Sequence, residues 1–174
     1  VAAGIRTGII KQSGGFLPDH PLLARTSWGP ACVLVPAAGT GHGQDILLTR
    51  ADVSEIQLAK AAIAAGAEIL LAAEGIGADQ IDEVLIAGAF GTYLNLESAV
   101  AIGMLPHLPA TRYRQLGNAA GHGARRMLTS RQSRHEAESI SRRARYVELT
   151  SCPDFAGTFA AQLNFPPPPG ALLG

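Results

Sequence analysis

This chain has little with which to act on charge alone. Its 174 residues carry 14 basic and 14 acidic side chains, for a formal net charge of zero. That balance supplies no electrostatic drive toward nucleic acid or an anionic membrane surface, so neither is expected as a partner. Lysine is nearly missing: beside twelve arginines stand only Lys11 and Lys60. Cysteine is scarce as well. Cys32 and Cys152 stand alone, without C-x-x-C spacing, which excludes a disulfide framework and fits a reducing, cytoplasmic setting. Asp52, Glu55, Lys60, Glu68 and Glu74 break up the apolar stretch Ala51–Gly75, so no run approaches the roughly 20 residues of a membrane helix.

Motifs of chemistry are equally sparse. G-x-x-x-x-G-K-[ST] is missing, which excludes a P-loop. His20, His42, His107, His122 and His135 show no metal-ligand spacing, so no metal site is expected. Ser27, Ser130 and Ser151 lack the strand–turn–helix setting of a nucleophile elbow. Catalytic residues therefore stay unassigned.

What is present is a foldable core, with 47% apolar and 16% charged residues. Ala2–Gln12 reads as the tail of a helix ending at Ser13-Gly14-Gly15, and the chain opens on Val1; the expectation is a piece of a longer polypeptide. Residues 13–30 read as loop, Cys32–Val35 and Ile46–Thr49 as strands, and Ala37–Gln44 as the hairpin loop between them. Gly39-Thr40-Gly41-His42-Gly43 in that loop leads into a strand, not a helix, and so fails as a dinucleotide fingerprint. Thr49 and Asp52 form a capping box for the longest helix, with Val53, Ile56, Ile63 and Leu70 as its apolar stripe. A short helix near Glu97–Ile102, a strand at Tyr113–Leu116 and helices at Asn118–Thr129 and Arg131–Arg143 follow. A strand at Tyr146–Leu149, a helix at Pro153–Leu163 and an extended tail from Pro166 close the chain. Alternating helices and strands make the class α/β.

Ile81–Leu94 is the most informative stretch. A short apolar strand runs into Gly88-Ala89-Phe90-Gly91, where glycines permit close backbone approach to a ligand. Phe90 or Tyr93 could stack on a base; equally, the turn could be a tight strand–helix connection with Phe90 in the core. A second junction follows at Gly117-Asn118-Ala119. Asn118 fits an N-cap, or a helix start facing a polar ligand. Two such junctions suggest one cleft at the carboxyl ends of neighbouring strands, holding a nucleotide. Lys60 lies between Ile56 and Ile63 within the apolar stripe, so its ammonium either snorkels to water or points into a polar cleft, with Gln57 one turn earlier.

Three segments carry a family resemblance: DILLTRADVSEIQLAKAAIAAGAEILL (45–71), IDEVLIAGAFGTYLNLESAVAIGMLPHLP (81–109) and LGNAAGHGARRMLTS (116–130). With the closing RYVELTSCPDF they resemble the C-terminal domain of the reductive activators of corrinoid proteins, across roughly residues 31–166. The resemblance implies one lobe of the fold shared by acetate and sugar kinases, actin and heat-shock chaperones, with a central mixed sheet flanked by helices. It implies ATP with Mg²⁺ as ligand and an upstream two-iron, two-sulfur domain. The partner it implies is a methyltransferase's corrinoid protein, whose Co(II) is returned to Co(I); a homodimer is a further possibility. Matched residue by residue, Gly88, Ala89, Phe90 and Gly91 correspond to the adenosine-binding turn, and Gly117, Asn118 and Ala119 to the second junction. Lys60 falls in the helix that faces the nucleotide. Residues 1–30 are then a helix end and loop from a preceding lobe, 31–164 the lobe itself and 165–174 a flexible tail. The iron–sulfur cysteines and the first phosphate-binding hairpin with its acidic metal ligand have no counterpart here, so this part alone is expected to reduce nothing. The alternatives are an activator ATPase of a radical dehydratase or reductase, and a non-catalytic dimerisation or docking lobe.

Overall fold

The computed structural model describes residues 1–167; of Ala89 and Phe90 it describes the backbone only. Antiparallel strands come first. β1 (Leu23–Thr26), β2 (Gly29–Val35) and β3 (Ile46–Thr49) form a meander in that spatial order. Composition hides β1, which falls inside the stretch expected as loop. Four residues flanked by glycine, proline and serine look like turn until a neighbouring strand pairs with them. Thr26 pairs with Gly29 across the two-residue turn Ser27-Trp28. The expected loop at 37–44 does join β2 to β3.

A parallel pair forms a second sheet. β4 (Val84–Ala87) and β5 (Tyr113–Gly117) lie side by side, with α3 (Ala89–Tyr93) and α4 (Leu96–Ala101) in the crossover. Strands of both directions are thus present, divided between two sheets. Helices α5 (Ala119–Thr129), α6 (Arg131–Arg143) and α7 (Phe155–Ala161) follow. No strand forms at Tyr146–Leu149. Residues 144–148 pair with nothing, and Leu149–Ser151 closes into a 3₁₀ turn. The alternation of the sequence YVEL mimics a strand, but no neighbouring strand is there to take up its ladder.

The N-terminal segment belongs to the same core as the rest. α1 (Ala2–Arg6) ends well before the expected bound, because Ile10 turns back to bridge Phe16. Ile5, Ile9, Ile10 and Phe16 then cluster with Cys32, Val53, Ile102 and Phe165. Phe165, expected in the tail, is 2% exposed. Residues 168–174 of that tail lie outside the described residues.

The long helix α2 (Arg50–Glu74) begins as its sequence requires. Thr49 Oγ1 accepts from the Asp52 amide at 3.2 Å, and Asp52 Oδ2 accepts from the Thr49 amide at 2.8 Å. Gly75 ends it at φ +68°. The apolar stripe is buried only at its start: Val53 is fully enclosed, whereas Ile63 and Leu70 are about half exposed. Deeper in, the buried positions are Gln57, Lys60, Ala61, Ala65 and Gly66. Small residues there let later elements close in: Leu149 lies against Gly66, and α7 packs on the helix. By length and composition α2 could cross a bilayer, charges notwithstanding; in this fold it is the central core helix.

The hydrogen bonds from Thr49 hold the Asp52 carboxyl below its ordinary pKa. A depressed carboxylate adds stability above its unfolded-state pKa and loses it as pH falls through the folded value. Thr49→Ala is expected to lower stability by about 0.5–2 kcal/mol at neutral pH. The gap to wild type should shrink as the buffer is taken down toward roughly pH 2. Denaturant titrations across that range check both; a gap that does not change with pH would refute the coupling to Asp52.

Candidate functional site

The two glycine junctions meet. β4 and β5 are adjacent and parallel, so Gly88 and Gly117 emerge together at their carboxyl ends, the usual ligand-binding edge of such sheets. The Gly88 amide donates to the Gly117 carbonyl at 2.7 Å, which ties the turns to each other. Gly88 sits at φ +97°, ψ +165°, a region essentially reserved for glycine, and a Cβ there would meet nothing within 4 Å. At Gly117, with φ +62°, a Cβ would find only the Thr92 hydroxyl near, at 3.9 Å. Both junctions therefore face open space.

Gly91 has a different job. A Cβ there would come within 2.7 Å of Ile86 Cγ2 and 3.3 Å of the Ile86 carbonyl oxygen. Its missing side chain lets α3 lie close on β4, whatever binds nearby. The carbonyl of Gly91 accepts from Gln115 Nε2, and so does that of Leu94, at 2.9 Å. Gln115, on β5, thus braces α3, a role that sequence reasoning missed. Its one signal was a glutamine in the middle of the short strand YRQLG. Tyr93 is 89% exposed. The stacking role considered for Phe90 concerns a side chain outside the described residues, and the side chain of Ala89 lies outside them too.

Asn118 is the N-cap of α5: its Oδ1 accepts from the Gly121 amide at 2.9 Å. That occupies one of the groups a polar ligand would use. Ala119 is the first residue of the helix.

Lys60 neither snorkels nor shares contacts with the glycine junctions. It is 1% exposed, and its Nζ donates to the Asn164 carbonyl at 2.6 Å and lies 5.8 Å from the centroid of the Phe165 ring. Gln57 donates to the Leu163 carbonyl at 2.9 Å, and the Phe165 amide to the Gln12 carbonyl at 2.9 Å. Together these bonds clasp the end of the described chain to α2 and to the N-terminal segment. Gly14, at φ +81°, leaves room for the Gln57 amide, and Gly103, at φ +72°, leaves room for Pro166 and the ammonium. Burial pushes the Lys60 pKa down.

Two hollows stand apart from these residues. One of about 470 Å³ lies between Phe16–His20 and the β1–β2 hairpin. Another of about 360 Å³ lies between Ile63 and Leu70 of α2, Val84 of β4 and Met104–Pro106. Among the described residues no three His, Cys, Asp or Glu side chains converge on a point. The geometry thus fits the nucleoside part of a ligand at the glycine junctions and offers, among the described residues, no set of protein ligands for Mg²⁺.

Comparison with known proteins gives one consistent direction. A family model for the C-terminal domain of RACo, the ASKHA domain, matches residues 1–170. A corrinoid activation enzyme from Eubacterium limosum, RamQ, is 34% identical over 174 residues, covering 95% of this chain and 29% of that protein. A solved structure of a reductive activator for corrinoid, iron-sulfur protein superposes with a TM-score of 0.82 at 35% identity. The match covers 95% of this chain and 27% of that one. The chain therefore spans under a third of the length of the relatives it matches.

Because burial disfavours the Lys60 ammonium, its folded pKa is lowered and the cost is full below that value. Stability assignable to Lys60 should therefore rise with pH toward the free-lysine value of about 10.4. Lys60→Met keeps the stem and removes the charge, so it is expected to lose this alkaline gain while Lys60→Ala costs about 2–5 kcal/mol. Urea unfolding of wild type and Lys60→Met across alkaline pH reads the difference; parallel pH profiles would rule out a buried ammonium.

Proposed function

This chain belongs to the family of the C-terminal ASKHA domain of RACo, mixed α/β with sheets flanked by helices, and from that premise we propose that it is the adenosine-side half of an ATP site in a corrinoid-protein activator. The observation that carries the proposal is the bonded pair of glycine junctions at the carboxyl ends of β4 and β5. Gly88 supplies the approach for the nucleoside, Gly117 the floor beside it, and Gly91 and Gln115 hold α3 in place behind them. The remaining walls of the cleft come from outside this chain.

In the whole protein, ATP favours a complex in which Co(II) of a partner's corrinoid is more easily reduced to Co(I) for methyl transfer. A two-iron, two-sulfur domain outside this chain delivers the electron. A ligand shifts such an equilibrium only by binding one conformation more tightly than another. A cleft between lobes provides two conformations by opening and closing. RamQ and the solved activator support the corrinoid reading, since each is named for the activation of a corrinoid system. Cys32 is buried and Cys152 bonds to the Glu148 carbonyl, so neither supports the cluster-holding role of a dehydratase activator. The setting is taken to be the cytoplasm.

Calorimetric titration of the protein with ATP and Mg²⁺ tests the site. Gly88→Val is expected to weaken binding at least tenfold, about 1.4 kcal/mol, with circular dichroism unchanged. Lys60→Met, which touches only the clasp, should leave the affinity as it is. No heat of binding at millimolar nucleotide would overturn the proposal.

A further inference from the structure

Trp28, the one tryptophan of the chain, is 86% exposed at the tip of the β1–β2 hairpin. The tip is stiff. The Thr26 hydroxyl donates to the Gly29 carbonyl at 2.7 Å and accepts from the Trp28 amide at 3.2 Å, and Gly29 turns at φ +103°. A large apolar ring held in water on a rigid mount is the kind of residue that anchors interfaces.

The strand beneath it has a free edge. β1 is the outermost strand of its sheet, next to β2 only. The Val33 amide bonds to the Leu22 carbonyl, and bonded and non-bonded pairs alternate along an antiparallel ladder. With the register Leu23↔Cys32 through Thr26↔Gly29, Ala24 and Thr26 therefore turn their backbone groups to β2. Leu23 and Arg25 turn theirs outward. Pro30, opposite Arg25, has no amide to give, which agrees with that alternation. The Leu23 amide is met by the His20 carbonyl at 2.9 Å; the Leu23 carbonyl and both backbone groups of Arg25 point off the edge.

We propose that this edge pairs with the same edge of a second copy of the chain, around a two-fold axis at Ala24. In that register Arg25 of each copy lies opposite Leu23 of the other, so each Arg25 amide meets a free Leu23 carbonyl. Trp28 of each copy falls opposite His20 of the other. His20, with Phe16 and Pro18, lines the hollow of about 470 Å³ beside the hairpin, room enough for an indole ring. Knob and hollow thus lie on one surface, in the arrangement a two-fold interface needs. Leu22, about half exposed, is covered by the same contact. The hollow is complete only when the second copy fills it. The inference does not rest on nucleotide binding.

Sedimentation equilibrium of the intact protein should give twice the mass of one chain. Trp28→Ala should give the single-chain mass with unchanged circular dichroism, and wild-type tryptophan emission should shift to longer wavelength on dilution. Ala24→Cys, in a Cys152→Ser background, should cross-link to its copy under mild oxidation. Non-bonded antiparallel pairs bring Cα atoms to about 4.5 Å, within disulfide reach. A single-chain mass for wild type overturns the proposal. So does a dimer that survives Trp28→Ala and fails to cross-link at position 24, even if one of the variants folds poorly.

Discussion

A buried ammonium on a backbone carbonyl organises this molecule. Lys60 sits in the middle of α2 with no carboxylate bonded to it among the described residues, and its partner is Asn164 near the end of the described chain. Taking a cation out of water is costly unless it is well bonded, so the fold has to deliver that carbonyl to one place. Gln57 on the neighbouring turn fixes Leu163, the Phe165 ring enters the core, and its amide reaches Gln12. The N-terminal segment, α2 and the loop after α4 are thereby held around one point. Gly14 and Gly103 are small because that point is crowded.

Local rules account for much of what the sequence discloses. The Thr49–Asp52 box, the caps at Asn118 and Ser130 and the two strand–glycine–helix junctions all follow from short-range chemistry, and the structure has them. What escaped depends on distant partners. β1 exists because β2 lies beside it, and YVEL is no strand because nothing does. The exposed faces of Ile63 and Leu70 depend on which elements reach α2, as does the burial of Gln57. Lys60 shows the limit most clearly. Helical geometry placed it on the inward face, but no local pattern could say that a carbonyl 104 residues later would meet it.

The candidate site was legible as a pair of glycine turns, though not in its division of labour. Gly88 and Gly91 look alike in sequence. One occupies a backbone region closed to other residues and faces open space; the other makes room for Ile86. Gln115 supports the turn from the next strand and carries no motif at all. The family match covers nearly the length of the chain, so fold and kinship rest on more than these turns.

The bond from the Gly88 amide to the Gly117 carbonyl has a consequence for how a ligand is held. Two loops that move independently must each be ordered when something binds, and that ordering subtracts from affinity. Here the loops are already locked as one piece, with Gln115 fastening the helix behind them. A nucleoside would find a preorganised shelf, and its binding energy would go undiminished into drawing the opposite wall of the cleft shut.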